Sequence, residues 1–372
     1  MLKSVLAPAK TKPSEAKLVR FVGSDALEDL PQADRQWALA NNFSGKAGSV
    51  LLIPDAKDHS VASALLGTGD STNPFCAGAL AKNLPEGIWR LEPNQNMDLR
   101  LATVGFLLGA YRFETYKKYS QTRPTLLLDG SLTRSEIISQ VEASWLVRDL
   151  VNTPASDMGP DQIEAAARTI AKPAKATIKV VRGDDLLTKK FPMIHAVGRA
   201  SAVPPRLIDM AWGDKKAPKL TLVGKGVAFD TGGLDIKPAS SMRNMKKDMG
   251  GAANVLGLAK MIMDAKLPVR LRVLIPAVEN SISGDAFRPG DILTSRKGLT
   301  VEIGHTDAEG RLVLADALAL ACEEKPDLVI DMATLTGAAR VALGPELAPF
   351  YTNDEDLAGS LDEASAAQRD PL

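Results

Sequence analysis

The stretch His305–Leu318, with the sequence HTDAEGRLVLADAL, decides how this chain is organised. Asp307 and Glu309 stand two positions apart, and a glycine and an arginine follow directly. If the backbone there is extended, both carboxylates point to the same face, because side chains alternate along a strand. Two like charges that converge in a partly dry site are costly without a compensating ion. The stretch therefore predicts metal chemistry beside an apolar helix.

The composition is that of an ordinary globular protein, with 45% hydrophobic and 24% charged residues. The length of 372 residues is enough for two domains of about 100–200 residues each. The 45 basic residues balance the 45 acidic ones, which argues against nucleic acid as the main partner. No apolar run approaches the roughly 20 residues of a membrane helix, and no secretory signal is expected at the N-terminus.

Cysteine and histidine are scarce, and both counts bear on function. Two cysteines are too few for a disulfide framework, which favours a reducing cytoplasm. With three histidines, His59, His195 and His305, a zinc site of the usual imidazole-rich type is nearly excluded. Any metal bound by this chain must therefore rest on oxygen ligands.

Strand-like and helix-like segments alternate along the chain, which predicts an α/β architecture. In the N-terminal part, strands are predicted at 17–23, 49–54, 87–91 and 124–129, and helices at 31–40, 60–66 and 97–118. Further on, helices are predicted at 131–152, 161–170, 252–265 and 311–324, and strands at 219–223, 268–276 and 327–333. The turn-rich run 152–160 separates two predicted domains, 1–152 and 153–372.

The helix predicted at 311–324 is apolar on nearly every side, as buried helices usually are. Cys322 lies near its end and is expected in the core, where a free cysteine behaves as a small apolar side chain. Pro326 stops this helix.

A second cluster of reactive side chains lies in Gly224–Gly251, with the sequence GKGVAFDTGGLDIKPASSMRNMKKDMGG. It follows a predicted strand, so its residues should lie at the carboxyl end of a parallel sheet, where α/β folds bind ligands. A nucleotide-binding loop is disfavoured, because no serine or threonine follows Lys225 and Phe229 stands where the third glycine of a dinucleotide motif would be. Together with Asp307 and Glu309, this cluster supplies four carboxylates and two lysines.

Four carboxylates balance the charge of two divalent cations, which favours a two-metal site over a one-metal site. Such a pair can activate a bridging water and stabilise a tetrahedral intermediate. The residues by themselves leave one alternative open, a set of capped turns and surface salt bridges without a metal.

Four segments, GKGVAFDTGGLDIKP, MKKDMGGAA, TDAEGRLVLADAL and DMATLTGAA, resemble the motifs of the leucyl aminopeptidase family of dinuclear metallopeptidases. The resemblance covers about residues 150–340, in the family's order and close to its spacing. It implies an N-terminal mixed α/β (macro-like) domain and a C-terminal α/β/α catalytic domain with a mostly parallel central sheet. The N-terminal 130 residues resemble the family only in their general α/β character.

The resemblance also implies a role for each matching residue. Glu309 would bridge two metal ions, and Lys225 would bind one of them through a neutral amine; the implied metal ligands are Lys225, Asp230, Asp248, Asp307 and Glu309. Lys237 would polarise the scissile carbonyl, and Arg311 would hold a bicarbonate ion that accepts a proton from water. Met245, Thr334 and Gly337 match positions that line the substrate pocket.

Two features depart from the family pattern. His305 stands where the family usually has asparagine, and we expect a hydrogen-bonding role beside the ligands or an altered metal preference. The alternative that the imidazole disturbs the site predicts a higher kcat or tighter metal binding for His305→Asn. The chain ends at Leu372, where family members continue, so the catalytic domain is expected to be incomplete at its C-terminus, less stable and less active than a full-length relative.

The sequence therefore predicts a cytoplasmic aminopeptidase that releases N-terminal amino acids from peptides, with a leucine-type preference. The expected cofactors are two Zn²⁺ or Mn²⁺ ions per subunit with bicarbonate at Arg311. The expected assembly is the family's homo-hexamer, with no membrane or nucleic-acid partner. Two alternatives stay open: a dipeptidase of the Cys-Gly type on the same centre, and a non-catalytic role in nucleic-acid binding or assembly.

Overall fold

The computed structural model describes residues 2–70, 73–120 and 122–372. Contacts between Cα atoms divide the chain into two units, Met1–Glu142 with Thr336–Leu372, and Ala143–Leu335. The sequence-based boundary at residue 152 stays a prediction.

The first unit contains a mainly parallel sheet built on its N-terminal strands. Among its described residues these are β1 (Lys17–Gly23), β2 (Val50–Pro54), β3 (Val61–Gly69), β4 (Gly87–Leu91) and β5 (Pro124–Leu126). The order is β2-β3-β1-β4-β5, and β2 is antiparallel to β3 while the other neighbours are parallel. The helices of this unit are α1 (Gln32–Ala40), α2 (Leu80–Asn83), α3 (Leu99–Gly109), the start of α4 (Arg134–Asn152), α11 (Ala338–Leu343) and α12 (Glu355–Gln368).

Two predictions in this unit are wrong. The segment 60–66 was predicted to be helical but forms most of β3, which pairs with β1 on one side and β2 on the other. A strand buried on both faces lacks the apolar alternation that would have revealed it. The helix predicted at 97–118 begins at Leu99, capped by the Asp98 carboxylate, and ends at Gly109.

The second unit contains a larger sheet. Its path within the described residues is β13-β8-β10-β7-β6, and β9 pairs with β10 beyond the end of β8. Strands β13, β8 and β10 are parallel, whereas β7 is antiparallel to both of its neighbours. The strands are β6 (Thr177–Arg182), β7 (Arg206–Trp212), β8 (Lys219–Gly224), β9 (Gly226–Asp230), β10 (Arg270–Asn280) and β13 (Leu328–Met332), and a separate hairpin contains β11 (Ile292–Thr294) and β12 (Thr300–Glu302).

Helices cover both faces of this sheet, in agreement with the predicted α/β/α architecture. The helices are the end of α4, α5 (Pro160–Ala174), α6 (Asp185–Thr188), α7 (Pro192–Gly198), α8 (Ala239–Met242), α9 (Gly250–Asp264) and α10 (Glu309–Glu323). Leu222 and Val223 are consecutive in β8, yet Leu222 packs with α5 and α9 while Val223 packs with α7 and α10. This alternation is the two-residue period of a strand between two helical layers.

Helix α10 is less enclosed than its sequence suggests. Its apolar face, including Val313 and Ala317, is fully buried, whereas Cys322 is exposed near its C-terminus. The expectation that Cys322 lies in the core is therefore wrong: in the last turn of α10 the neighbouring Ala321 is fully buried in the core, whereas Cys322 lies on the exposed side of the helix.

Among the described helices, none combines the length and the apolar character needed to cross a membrane.

Candidate metal centre

The site is built at the carboxyl end of the central strands. Lys225 follows β8 directly and is fixed on both sides by its backbone. Its N–H donates to Met332 O at the end of β13 (3.0 Å), and its carbonyl accepts from Ala252 N–H in the first turn of α9 (2.8 Å). The start of α9 lies so close to the end of β13 that a Cβ on Gly251 would be 2.0 Å from Met332 O, so only glycine fits at this position.

Asp248 reaches the site from the turn of 3-10 helix Met245–Met249 that leads into α9. Its Oδ2 lies 2.8 Å from Lys225 Nζ, and its Oδ1 accepts a hydrogen bond from Thr334 Oγ1 at 2.8 Å. The carbonyl of Thr334 also accepts from Lys225 Nζ (3.0 Å). Thr334 therefore orients both Asp248 and Lys225.

Asp307 and Glu309 do not lie on an extended strand. The suggestion that strand alternation points both carboxylates to one face is therefore wrong. His305 is extended (φ −157°, ψ 128°) and caps a turn of 3-10 helix, Thr306–Ala308, after which α10 begins at Glu309. The Nδ1 atom of His305 accepts the Asp307 N–H at 3.1 Å. The two carboxylates converge because the chain turns between them.

Three carboxylates come together here. Asp230, Asp307 and Glu309 each offer an oxygen, and these atoms all lie within 4.8 Å of one another. Asp248 joins them through Lys225, whose Nζ is 2.9 Å from Glu309 Oε1. A Cβ on residue 310 would lie 2.5 Å from Lys225 Cε, so Gly310 makes room for the lysine. All five predicted ligands thus meet in one cluster.

Lys237 contacts a different pair of carboxylates from Lys225. Its Nζ lies 3.0 Å from Asp230 Oδ2 and forms an ion pair with Asp307 Oδ1. The loop that carries it folds back on itself, because Lys237 N–H donates to Thr231 O at 2.9 Å. Its ammonium group therefore stands beside two of the clustered carboxylates.

Burial and opposite charges compete in setting the ionisation of these groups. Burial disfavours the charged form of Lys225, but Glu309 and Asp248 outweigh it and raise the lysine's pKa above the ordinary value. Burial also opposes charge on Lys237, and hydrogen bonds to Asp307 and Asp230 again raise the pKa. For Glu309, burial raises the pKa to about 7, opposed by Lys225 and reinforced by the nearby Asp230 and Asp248.

The residues present fit a divalent metal. Glu309 is 1% exposed, and its Oε2 meets no hydrogen-bond donor among the described residues. A buried carboxylate oxygen without a donor is costly and rare unless an ion takes the donor's place. Carboxylate oxygens suit hard and borderline divalent ions.

Exposure shows which side of the cluster faces solvent. The side chains of Lys225, Asp230, Asp248 and Glu309 are 1–4% exposed. Those of Lys237 and Asp307 are 13% and 32% exposed. A ligand from solvent must therefore reach the cluster past Lys237 and Asp307.

Other predicted site residues stand outside this hydrogen-bonded cluster. Arg311 is exposed on the first turn of α10, and within the described part of the chain no hydrogen bond or ion pair joins it to the carboxylates. Met245 is half-buried at the start of the turn that delivers Asp248. Gly337 belongs to the first unit, where it precedes α11, so its pocket role stays a prediction.

The sequence reasoning missed three polar residues that support the cluster: Asp235, Asn280 and Thr306. Asn280 is fully buried at the end of β10, and its Nδ2 donates to Asp230 Oδ1 at 2.8 Å. A signal was available, because an amide that ends a buried parallel strand lies where ligands bind. The strand had been predicted to stop at 276, four residues too early.

Two family models match the chain. The "Cytosol aminopeptidase family, catalytic domain" matches residues 145–372, and the "M17 aminopeptidase, N-terminal domain" matches residues 20–129. The first match alone covers more than half of the 372 residues. It includes every residue of the cluster.

Individual proteins agree with the family models. The probable cytosol aminopeptidase of Tropheryma whipplei is 38% identical over 373 residues, which cover 92% of this chain and 73% of that protein. The crystal structure of the cytosol aminopeptidase from Coxiella burnetii is 46% identical with a TM-score of 0.92, covering 97% of this chain and 80% of that one. The bottromycin maturation enzyme BotP in complex with Mn is 32% identical with a TM-score of 0.86, covering 96% and 80%.

The predicted resemblance, fold class and enzyme class are thus confirmed. The chain belongs to the cytosol aminopeptidase family and is a metal-dependent hydrolase that removes amino acids from peptide N-termini.

Proposed function

We propose that the five clustered side chains hold two divalent metal ions and that this centre performs the aminopeptidase reaction. The proposed ligands are Lys225, Asp230, Asp248, Asp307 and Glu309. The observation that carries the proposal is the convergence of three carboxylates within 4.8 Å, one of them the buried Glu309, whose Oε2 meets no hydrogen-bond donor in the described part of the chain.

Glu309 would help to hold both ions, because it belongs to both halves of the cluster. One half contains Asp230 and Asp307, and the other contains Lys225 and Asp248. Two adjacent divalent ions, when bound, supply Lewis-acid polarisation of a carbonyl and activation of a water molecule. Lys225 must lose its proton to act as a ligand, since an ammonium group has no free lone pair.

Lys237 is the proposed electrophilic residue. It stands on the solvent-facing side of the cluster and keeps its proton through two carboxylate partners, which raise its pKa. A protonated amine at this edge can donate a hydrogen bond to the scissile carbonyl oxygen and stabilise the negative charge that develops there.

Arg311 is the proposed anchor for bicarbonate. Arg311 is exposed two residues after Glu309, and a guanidinium can hold a planar oxyanion by two parallel hydrogen bonds. The bound anion would accept a proton from water, a task for which the cluster offers no spare base, because its carboxylates are engaged as ligands.

The substrate preference is proposed to be of the leucine type, with Met245 and Thr334 lining the pocket. A half-buried thioether can adapt to a branched apolar side chain. Mn²⁺ or Zn²⁺ are the proposed metals. The manganese complex of the similar enzyme BotP supports the first, and the mixed oxygen and nitrogen donor set is compatible with both.

We further propose a cytoplasmic location and a homo-hexameric assembly with peptides as substrates. The names of the similar proteins, cytosol aminopeptidases, support the location. The assembly is an expectation from the family resemblance, and sedimentation of the purified chain would test it.

The central experiment compares the metal content and activity of wild type and Glu309→Gln after reconstitution with Mn²⁺ or Zn²⁺. Loss of a bridging ligand should remove at least one metal per subunit and lower kcat for Leu-p-nitroanilide by about 100-fold or more. Glu302→Gln, the same substitution on the exposed face of β12, serves as the matched control. Two retained metals and near-normal turnover in Glu309→Gln would disprove the proposal.

The same assays separate the alternatives. Hydrolysis of Cys-Gly without hydrolysis of Leu-p-nitroanilide would favour the dipeptidase. Two bound metals with no turnover of either substrate would favour the non-catalytic role.

A further inference from the structure

We propose that Thr306 and Asp235 lock together the two chain segments that carry the metal ligands, and that this lock sets the spacing of the ligands. The inference rests on the proposed two-metal centre. It assigns a positioning role to residues outside the proposed set of ligands.

The two segments come from distant parts of the sequence. The first, the 230–237 loop, begins with Asp230 at the end of β9 and ends with Lys237. The second, the 305–309 turn, carries Asp307 and Glu309 into α10. Neither segment is part of a strand or long helix along its whole length, so its backbone must be held by other contacts.

Thr306 and Asp235 bond to each other reciprocally across 71 positions of sequence. Thr306 N–H donates to Asp235 Oδ2 at 2.7 Å, and Asp235 N–H donates to Thr306 Oγ1 at 2.8 Å. The Thr306 hydroxyl in turn donates to Gly232 O at 2.6 Å. These three hydrogen bonds join the 305–309 turn to Gly232 and Asp235 of the 230–237 loop.

The lock is buried and closely packed. Thr306 is 0% exposed. Gly233 adopts φ +67°, and a Cβ there would lie 2.9 Å from both Cβ and Oγ1 of Thr306, so the loop wraps directly over the threonine. Hydrogen bonds in such a dry environment are strong, and a partner left without its bond is heavily penalised.

Asn280 ties the lock to the sheet. It is 0% exposed at the end of β10, and its Nδ2 donates to Asp230 Oδ1 (2.8 Å) and to Thr306 O (3.2 Å). One amide group therefore contacts both a ligand on the first segment and the backbone of the second. Because Asn280 lies at the end of strand β10, these bonds hold Asp230 and the segment of Asp307 at fixed positions relative to the sheet.

Asp235 has a different position from the proposed ligands. Its side chain is 30% exposed, and its Oδ2 already accepts the Thr306 N–H. If the lock acts through this hydrogen bond, the negative charge of Asp235 is dispensable, because an amide oxygen can accept the same bond.

The test measures Mn²⁺ affinity by competition with a chelating dye, alongside kcat and KM, in four variants. Thr306→Val keeps the shape of the side chain but removes the hydroxyl, and we expect about 10–100-fold weaker Mn²⁺ binding, the typical effect of losing support behind a ligand. Thr306→Ser restores the hydroxyl and should bind within about threefold of wild type. Asp235→Ala should weaken binding, and Asp235→Asn should recover most of the loss.

The matched control is Thr153→Val, which removes the hydroxyl of another buried threonine, bonded to Asp149 O at the end of α4. It should leave Mn²⁺ affinity unchanged. Circular dichroism of the metal-free proteins reports whether each variant folds. If Thr306→Val does not fold, the two variants of the partly exposed Asp235, Asp235→Ala and Asp235→Asn, decide the question.

Three outcomes separate the inference from the function on which it rests. Wild-type Mn²⁺ affinity in folded Thr306→Val or in Asp235→Ala overturns the lock. An equal loss in Asp235→Asn and Asp235→Ala also overturns it, because charge rather than the hydrogen bond would then matter. Glu309→Gln, measured in parallel, must lose metal; if it does not, the proposed metal centre itself fails.

Discussion

Glu309 is the residue on which most of the cluster's electrostatics depend. Its carboxylate is almost fully buried, stands near the carboxylates of Asp230, Asp248 and Asp307, and has one ammonium partner, Lys225. Burial is the main cause that raises its pKa to about 7, and Lys225 is the group that opposes this by stabilising the ionised form. A pair of divalent ions would supply the missing positive charge, which is the physical reason to propose a metal site here.

Lys237 can be tested separately from metal binding. Replacing it in Lys237→Met removes the hydrogen-bond donor proposed for the carbonyl oxygen but none of the proposed ligands. We expect kcat to fall by about 100–1000-fold, as for other oxyanion donors, while both metals stay bound. Steady-state kinetics and elemental analysis give the two readouts. A rise in KM with unchanged kcat would contradict the role.

His305 can be tested through the hydrogen bond that it makes. Its Nδ1 accepts the Asp307 N–H, so His305→Leu removes an N-cap and should cost about 0.5–2 kcal/mol of unfolding free energy. His305→Asn offers an oxygen in a similar place and should lose less. Urea unfolding compares the two. If His305→Asn instead raises kcat or tightens metal binding, the imidazole disturbs the site.

At the scale of elements, α10 stabilises the fold through a residue remote from the proposed metal ligand at its start. Asp316 is fully buried on this helix, and its carboxylate accepts three backbone N–H groups: Met193 (2.9 Å), Ile194 (3.3 Å) and Arg296 (2.8 Å). Two of these N–H groups belong to the first turn of α7, so one helix caps another.

We therefore expect Asp316→Ala to be strongly destabilising. It leaves three buried N–H groups without an acceptor, and the loss of unfolding free energy should be about 2–4 kcal/mol. Asp316→Asn retains one acceptor oxygen and should lose less. Urea denaturation followed by circular dichroism measures both. A loss below about 1 kcal/mol in Asp316→Ala would show that water satisfies these groups.

Helix α5 should make stability depend on pH. Burial disfavours ionised Glu164, but hydrogen bonds from Arg182, Arg168 and Arg206 outweigh it and lower the pKa to about 2. Because the folded-state pKa lies below the ordinary value of 4.5, this stabilisation is present above about pH 5 and is lost as the pH falls towards 2. This stabilisation amounts to about 3 kcal/mol, since each unit of pKa difference corresponds to about 1.4 kcal/mol.

The variant Glu164→Gln lacks this titration. Thermal unfolding between pH 3 and pH 6 should show a shallower decline of Tm with falling pH in Glu164→Gln than in wild type. Equal slopes would mean that other carboxylates account for the acid sensitivity of the unit.

For the whole molecule, bound metal should raise the free energy of unfolding. An ion that binds only the folded state stabilises it by about 2.7 kcal/mol per site at 100 times its Kd. The Tm of wild type should therefore rise with added Mn²⁺ and fall on chelation, whereas Glu309→Gln should respond weakly. A Tm independent of metal in wild type would contradict a metal site inside the second unit.

Much of the fold was predictable from local patterns. Strands β1, β4 and β8 were placed almost to the residue, because each is a short apolar run bounded by turn residues. Segment 60–66 was not, since its alanines and leucines are compatible with a helix until pairing with β1 and β2 makes it a strand. The hairpin β11–β12 also escaped prediction, being two strands of three residues.

The sequence by itself determined which residues are the candidates for the chemistry. The five proposed ligands and Lys237 lie in dense, glycine-rich motifs whose residue types suit divalent ions, and the structure brings all six together. Only the tertiary structure decided how they are held. Asp307 and Glu309 converge through a capped turn, and Thr306, Asp235 and Asn280 join segments tens of residues apart. Such contacts follow from the packing of the chain on itself, so no local pattern in the sequence contains them.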